Sequence, residues 1–169
     1  MAVSSAELRH AIGHFATGVT VVTSRGRDDA PVGTTANAVT SVSLEPPLVL
    51  VCFDHNSATL EAVRDRRVFA INVLAAGQRH LSANFARRGV RAAWDGVAHR
   101  PGPTGIPRLE GALATLECTL EHLLRGGDHE IIVGRVHDVE TSADDVAPLL
   151  FWRGAYATLG TDEQPDALR

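Results

Sequence analysis

The chain has 169 residues, of which 44% are hydrophobic and 21% charged, and its formal net charge is −4. Those proportions describe a soluble globular chain with room for a real core, and nothing in the charge argues for a nucleic-acid surface. All 16 basic residues are arginine, which excludes a Schiff-base lysine and a P-loop lysine.

No apolar run reaches the roughly 18 residues that a membrane span needs. The N-terminus carries Glu7 and lacks the charged-then-apolar pattern of a leader peptide. Cys52 and Cys118 both lie in strand-like apolar runs, so reduced buried thiols are expected in place of a disulfide, in keeping with a cytoplasmic protein. The chain reads as one domain over residues 1–169, with its core at about 5–159 and a polar tail at 160–169.

Taken in order, Ser4-Ser5-Ala6-Glu7 forms a capping box that opens a helix. Leu8, Ala11, Ile12 and Phe15 follow at helical spacing, and Gly18 is the expected stop. Residues 19–23 are β-branched throughout and predict a strand. A charged tip at 25–29 turns the chain into a second strand at 31–38, and 42–44 is a short third strand before Pro46-Pro47, which cannot both pair in a ladder. Residues 48–53 are a continuous apolar run and predict a buried strand. Ser57 is then placed to cap a helix over 58–64.

Residues 68–74 predict another strand and 78–86 a short helix. Residues 87–107 read as irregular, long for a loop, and therefore functional or mobile. Residues 114–124 alternate, with Leu116, Cys118 and Leu120 on one face and Glu117, Thr119 and Glu121 on the other, which predicts a half-buried strand. Gly126-Gly127-Asp128 is a turn, 130–139 the next strand, and 149–159 is expected to close the sheet. Strands and helices do not alternate, so an antiparallel barrel, closed or nearly so, with short helices at its side fits better than a doubly wound sheet.

The chemistry lies in the stretch 33–47. It is rich in small residues and hydroxyls and has no charge before Glu45. Thr34, Thr35, Asn37, Thr40, Ser41 and Ser43 can donate and accept hydrogen bonds. Such a stretch suits a polar, uncharged ligand lying close to strand backbone, although composition alone favours an exposed strand and turn with ordinary local hydrogen bonds. Ser57 and Thr59 at a helix start present hydroxyls and amides that suit a phosphate, or form a plain cap. No G-x-G-x-x-G follows a strand, no His/Cys set has metal-ligand spacing, and no G-x-S-x-G elbow is present. Of the scattered histidines, His129 stands directly after Gly-Gly-Asp at a strand mouth, where an imidazole can bind a ligand or shuttle a proton.

Several segments in order then carry a resemblance. They are Phe-Ala-Thr-Gly-Val-Thr-Val-Val-Thr at 15–23, Thr-Ala-Asn-Ala-Val-Thr-Ser-Val-Ser-Leu-Glu-Pro-Pro-Leu-Val-Leu at 35–50, Phe-Ala-Ile-Asn-Val-Leu at 69–74, Leu-Ser-Ala-Asn-Phe-Ala at 81–86, Gly-Asp-His at 127–129, and Pro-Leu-Leu-Phe-Trp-Arg-Gly-Ala-Tyr at 148–156. The chain resembles the flavin reductase-like domain family, the reductase partners of two-component flavin monooxygenases. The resemblance implies a homodimeric split β-barrel of the Greek-key, FMN-binding type. It implies reduction of FMN or FAD by NADH or NADPH, and a monooxygenase partner.

On that pattern Gly33, Thr34, Thr35, Asn37 and Ala38 line the ring and ribityl chain, with Cys52, Phe53 and Asp54 alongside. Ser57, Ala58 and Thr59 hold the phosphate, and Asn84, Phe85 and Ala86 close over the flavin. His129, Arg153 and Tyr156 receive the nicotinamide nucleotide. Arg87, Arg88 and Arg91 stand outside any fixed motif; they suit an adenylate or phosphate, or plain solvation. Hydride transfer between two stacked rings needs no activated nucleophile, which agrees with a chain that has no triad. Backbone amides near 35–38 are placed to stabilise charge developing on the flavin. Other readings of the same barrel are a flavin- or haem-binding module without catalysis, and an oxidase of the pyridoxamine-phosphate type. The absence of lysine weighs against the latter.

Overall fold

The computed structural model describes residues 2–87, 94–143 and 145–159. Helix α1 (Ser5–Ile12) opens as its capping box dictates: Ser4 Oγ accepts from the Glu7 amide at 3.2 Å, and the Glu7 carboxylate accepts from the Ser4 amide at 2.9 Å. It stops at Gly13, well short of Gly18, and its apolar residues Leu8 and Ile12, with Phe15 beyond its end, stay exposed.

The main sheet contains β2 (Thr20–Arg25), β3 (Pro31–Ala36), β4 (Val39–Leu44), β5 (Pro47–Asp54), β6 (Val68–Val73), β9 (Ala114–Gly126) and β10 (His129–Thr141). Its order is β3-β2-β6-β9-β10-β5-β4 and every pairing is antiparallel. The two edge strands, β3 and β4, are joined by Asn37 and Ala38, and the Cys52 amide donates to the Ala38 carbonyl at 3.0 Å. Val22, Ala36, Val51, Phe53, Ile71 and Ile132 from across this sheet meet in one core cluster with Leu60 and Val63. The sheet therefore curls on itself, and helix α2 (Ala58–Arg66) plugs one side.

The continuous β-branched run at 19–23 has a plain cause. Val22 faces the barrel interior, while Val19 and Val21 pack outward into a second cluster with Leu81 and Phe85 of α3 (Arg79–Phe85), Leu109 and Leu149. With both faces covered, the strand has no polar side.

Two expectations change in the structure. Residues 149–159 do not close the main sheet: β11 (Leu150–Trp152) and β12 (Ala155–Ala157) pair with the two-residue β1 (Thr17–Gly18) as a separate small sheet. The described part of 87–107 is also less irregular than its composition suggests, because β7 (His99–Pro101) pairs with β8 (Pro107–Leu109). That hairpin covers the outer face of β9, so Glu117, expected toward solvent, is 0% exposed. Its carboxylate accepts from Arg108 Nε at 2.8 Å and from the Thr104 hydroxyl at 2.7 Å. Gly102 makes the space: a Cβ there would stand 1.4 Å from Glu117 Oε1. Asn72, also fully buried, ties the hairpin to the barrel by accepting from the Leu109 amide and donating to the Val21 carbonyl, both at 2.9 Å.

Candidate functional site

A cavity of about 1010 Å³ runs between β3, α2, the end of α3 and the adjoining ends of β5 and β10. Gly33, Thr34, Thr35, Asn37 and Ala38 line one wall, and Cys52, Phe53 and Asp54 line its end. Ser57, Ala58 and Thr59 enter from the start of α2, Phe85 and Ala86 from the end of α3, and His129 from the first position of β10. The fold thus brings these predicted residues together from five separated parts of the chain.

Local chemistry sets each wall. Gly33 allows close approach, since a Cβ there would lie 3.1 Å from the Phe85 ring and 3.3 Å from Trp94. Those two rings meet edge to face at 4.9 Å. Thr35 is a tie between elements, donating its hydroxyl to the Ser82 carbonyl at 2.7 Å. Ser57 caps α2, its Oγ accepting from the Leu60 amide at 3.4 Å. The amides of the first turn and the Thr59 hydroxyl then face a region where the helix dipole favours an anion.

His129 stands opposite Asp54 in the β10–β5 ladder. Its Nδ1 lies 2.8 Å from Asp128 Oδ1, and this hydrogen bond holds the Asp128 carboxyl below its usual range. The proton is thereby placed on Nδ1, which leaves Nε2 for an incoming group. Burial pushes the Cys52 thiol up, so the cavity wall carries a neutral sulfur there. Cys118, deeper, is pushed up to about 12 by burial and by neighbouring Glu117.

Asn84, Arg153 and Tyr156 are not among the residues that line this cavity. Tyr156 sits behind α3, its hydroxyl 2.9 Å from Ser82 Oγ and its ring 5.0 Å from the Arg79 guanidinium. The Arg153 amide donates to the Gly13 carbonyl at 2.8 Å and its guanidinium lies 5.3 Å from the Trp152 ring. Tyr156 lies in β12 and Arg153 in the turn between β11 and β12, so the small sheet carries both. Arg88 and Arg91 lie outside the described residues.

Sequence reasoning passed over Trp94 and the far end of the cavity, where Arg27, Glu61 and Asp65 line it. Arg27 bridges the β2–β3 tip to α2, with Nε 2.6 Å from Asp65 and an η-nitrogen 3.4 Å from Glu61. Ala58, Glu61, Ala62 and Asp65 recur at helical spacing, so this face of α2 was readable. Trp94 had no such signal. Among the described residues no helix is long and apolar enough to cross a membrane.

Known proteins with this architecture carry a consistent description. Residues 12–160 match a family model described as flavin reductase like domain. A probable flavin reductase of Rhizobium meliloti is 44% identical over 151 residues, 89% of this chain and 48% of that protein, so the chain spans about half of that relative. The reductase subunit HsaB of a flavin-dependent monooxygenase from Mycobacterium tuberculosis is 37% identical over 94% of this chain and 84% of its own length. The solved structure of the Streptomyces globisporus NADH:FAD oxidoreductase SgcE6, in complex with NAD and FAD fragments, superposes with a TM-score of 0.87 at 38% identity over 94% of each chain. A match over residues 12–160, with relatives and a solved structure this similar over most of the chain, shows that the chain belongs to the flavin reductase-like domain family.

Proposed function

We propose that this chain is an NAD(P)H:flavin oxidoreductase that reduces FMN or FAD and supplies the reduced flavin to a partner monooxygenase. The observation that carries the reading is the junction of two unlike features on one groove. The capped start of α2 suits a phosphate, and His129 stands across the end of β5 from it. The groove fits the flavin: its wall is uncharged between Gly33 and Ala38, and the missing side chain at Gly33 lets the Phe85 and Trp94 rings close against that wall.

When bound, flavin and nicotinamide supply the hydride chemistry themselves. The chain's part is to bind and orient. The first turn of α2 with Ser57 and Thr59 holds the phosphate, and the backbone around Thr35 to Ala38 donates toward the ring. Phe85 and Trp94 exclude water from one side. His129, fixed by Asp128, offers Nε2 to the nicotinamide nucleotide.

The reading includes a homodimer, for which the exposed surface of the single chain is the support. The groove is open, and Leu44, Val42, Leu8, Ile12 and Phe15 are large apolar side chains left exposed on one chain. The free thiols Cys52 and Cys118 agree with a cytoplasmic setting. The test is NADH and NADPH oxidation with added FMN or FAD. Turnover is expected to depend on flavin, and its absence with every pair ends the proposal. His129→Ala should raise KM for the nicotinamide nucleotide about tenfold, roughly 1.4 kcal/mol, with KM for flavin changed less than about twofold; equal changes in both would make His129 structural.

A further inference from the structure

Directly behind His129, Glu130 turns inward. It is 5% exposed and stands opposite Phe53 in the ladder. One carboxylate oxygen, Oε1, takes the Arg64 guanidinium of α2 and lies 3.4 Å from His55 Nδ1. The other, Oε2, is buried without a hydrogen-bond partner among the described residues. His55 sits in the turn between β5 and α2. Its Nε2 donates to the Gly127 carbonyl at 3.0 Å, and its amide donates to the Asp128 carbonyl at 3.4 Å. One carboxylate thus joins the helix whose start suits a phosphate, the turn leading into that helix, and the strand that begins with His129.

Stability alone gives a poor account of this arrangement. Glu130 stands opposite Phe53 and two positions before Ile132, both members of the core cluster, where an apolar side chain would hold α2 without a desolvated charge. A buried carboxylate with one oxygen unsatisfied is costly, and such groups persist where geometry matters more than stability. Two ligands must stack at near-attack distance in this groove, one anchored on α2 and the other on His129. The spacing between those two anchors decides whether the rings meet.

Resting on the reductase reading above, we propose that Glu130 is a positioning residue. Through Arg64 and His55 it sets the distance between the start of α2 and His129, and so the rate of hydride transfer. It touches neither ligand.

The test follows flavin bleaching by NADH under anaerobic stopped-flow conditions in wild type, Glu130→Met, His129→Ala and the double variant, with the thermal midpoint measured for each. Glu130→Met is expected to keep the wild-type midpoint or exceed it, while hydride transfer slows about tenfold. The double variant should be little slower than His129→Ala alone, because the spacing that Glu130 sets matters only while His129 anchors the nicotinamide. Hydride transfer within about twofold of wild type in Glu130→Met, or full multiplication of the two losses, overturns the inference. Should Glu130→Met fail to fold, Glu130→Gln, which keeps the shape and loses the charge, reads the same coupling. A wild-type protein that does not bleach flavin at all would sink the reductase reading, whereas a normal Glu130 variant beside a defective His129 variant would sink only this one.

Discussion

Arg108→Met should cost about 3–5 kcal/mol of folding stability, the penalty for stranding a buried charge. Arg108 is 4% exposed and donates to Glu117 at 2.8 Å and to Glu140 at 2.9 Å, with a further contact to Asp138. Burial works against its charge, but these carboxylates more than offset it and the guanidinium stays protonated. Asp138 and Glu140 are partly exposed, with side chains 38% and 47% accessible, so water takes over when Arg108 leaves. Glu117 has no such recourse. At 0% exposure it would keep only the Thr104 amide at 3.2 Å and hydroxyl at 2.7 Å.

In a chain of this length about 1 kcal/mol moves the melting temperature by about 2–4 °C, so a fall of roughly 6–20 °C is expected. Adding Glu117→Leu removes the stranded charge, and the double variant should recover to within about 2 kcal/mol of wild type. Urea unfolding followed by tryptophan fluorescence reads both, and calorimetry checks the midpoint. A single-variant loss below about 1 kcal/mol, or a double variant as unstable as the two losses summed, would refute the claim that the Glu117 charge is the cause. The same variants should weaken flavin binding, since the hairpin held by this network follows Trp94 on the cavity wall.

Other outcomes follow from the same geometry. Gly134→Ala places a Cβ 2.5 Å from Phe69 Cζ and 3.0 Å from Cys118 Cβ. It should cost about 1–3 kcal/mol of overpacking in denaturant titration, with a neutral result meaning that the register shift beside Gly134, where Glu121 of β9 is the extra residue, yields freely. Cys52 lines the cavity while Cys118 is buried with its thiol pushed up to about 12. A maleimide should therefore label Cys52 slowly and Cys118 not at all in the native protein, and bound FMN should protect Cys52. Mass spectrometry that finds equal labelling with and without FMN would place the flavin elsewhere.

Much of the site was legible because its chemistry is local. Ser4 and Ser57 declare helix starts through the side-chain acceptor an N-cap requires, and both caps form. The uncharged run at 33–38 and His129 after its Gly-Asp turn, which line the cavity, each show within a few consecutive residues. The groups that meet across the fold were not legible. Alternation on β9 correctly separated Cys118 from Glu117, yet period-2 spacing reports which side a residue faces and not what covers that side. The hairpin 99–109 covers Glu117, and Gly102 opens the space for it, facts held by pairing far from β9 in sequence.

The residues themselves dictated an antiparallel barrel with flanking helices, a phosphate-suited helix start and a histidine at a strand mouth, because backbone propensity, capping and turn chemistry act over a handful of neighbours. Tertiary packing alone settled that His129 faces the end of β5 beside α2, that Glu130 behind it links Arg64 to His55, and that the last two strands leave the barrel for β1. Those outcomes depend on which surfaces cover one another when the chain closes, and such contacts leave no periodic trace along it.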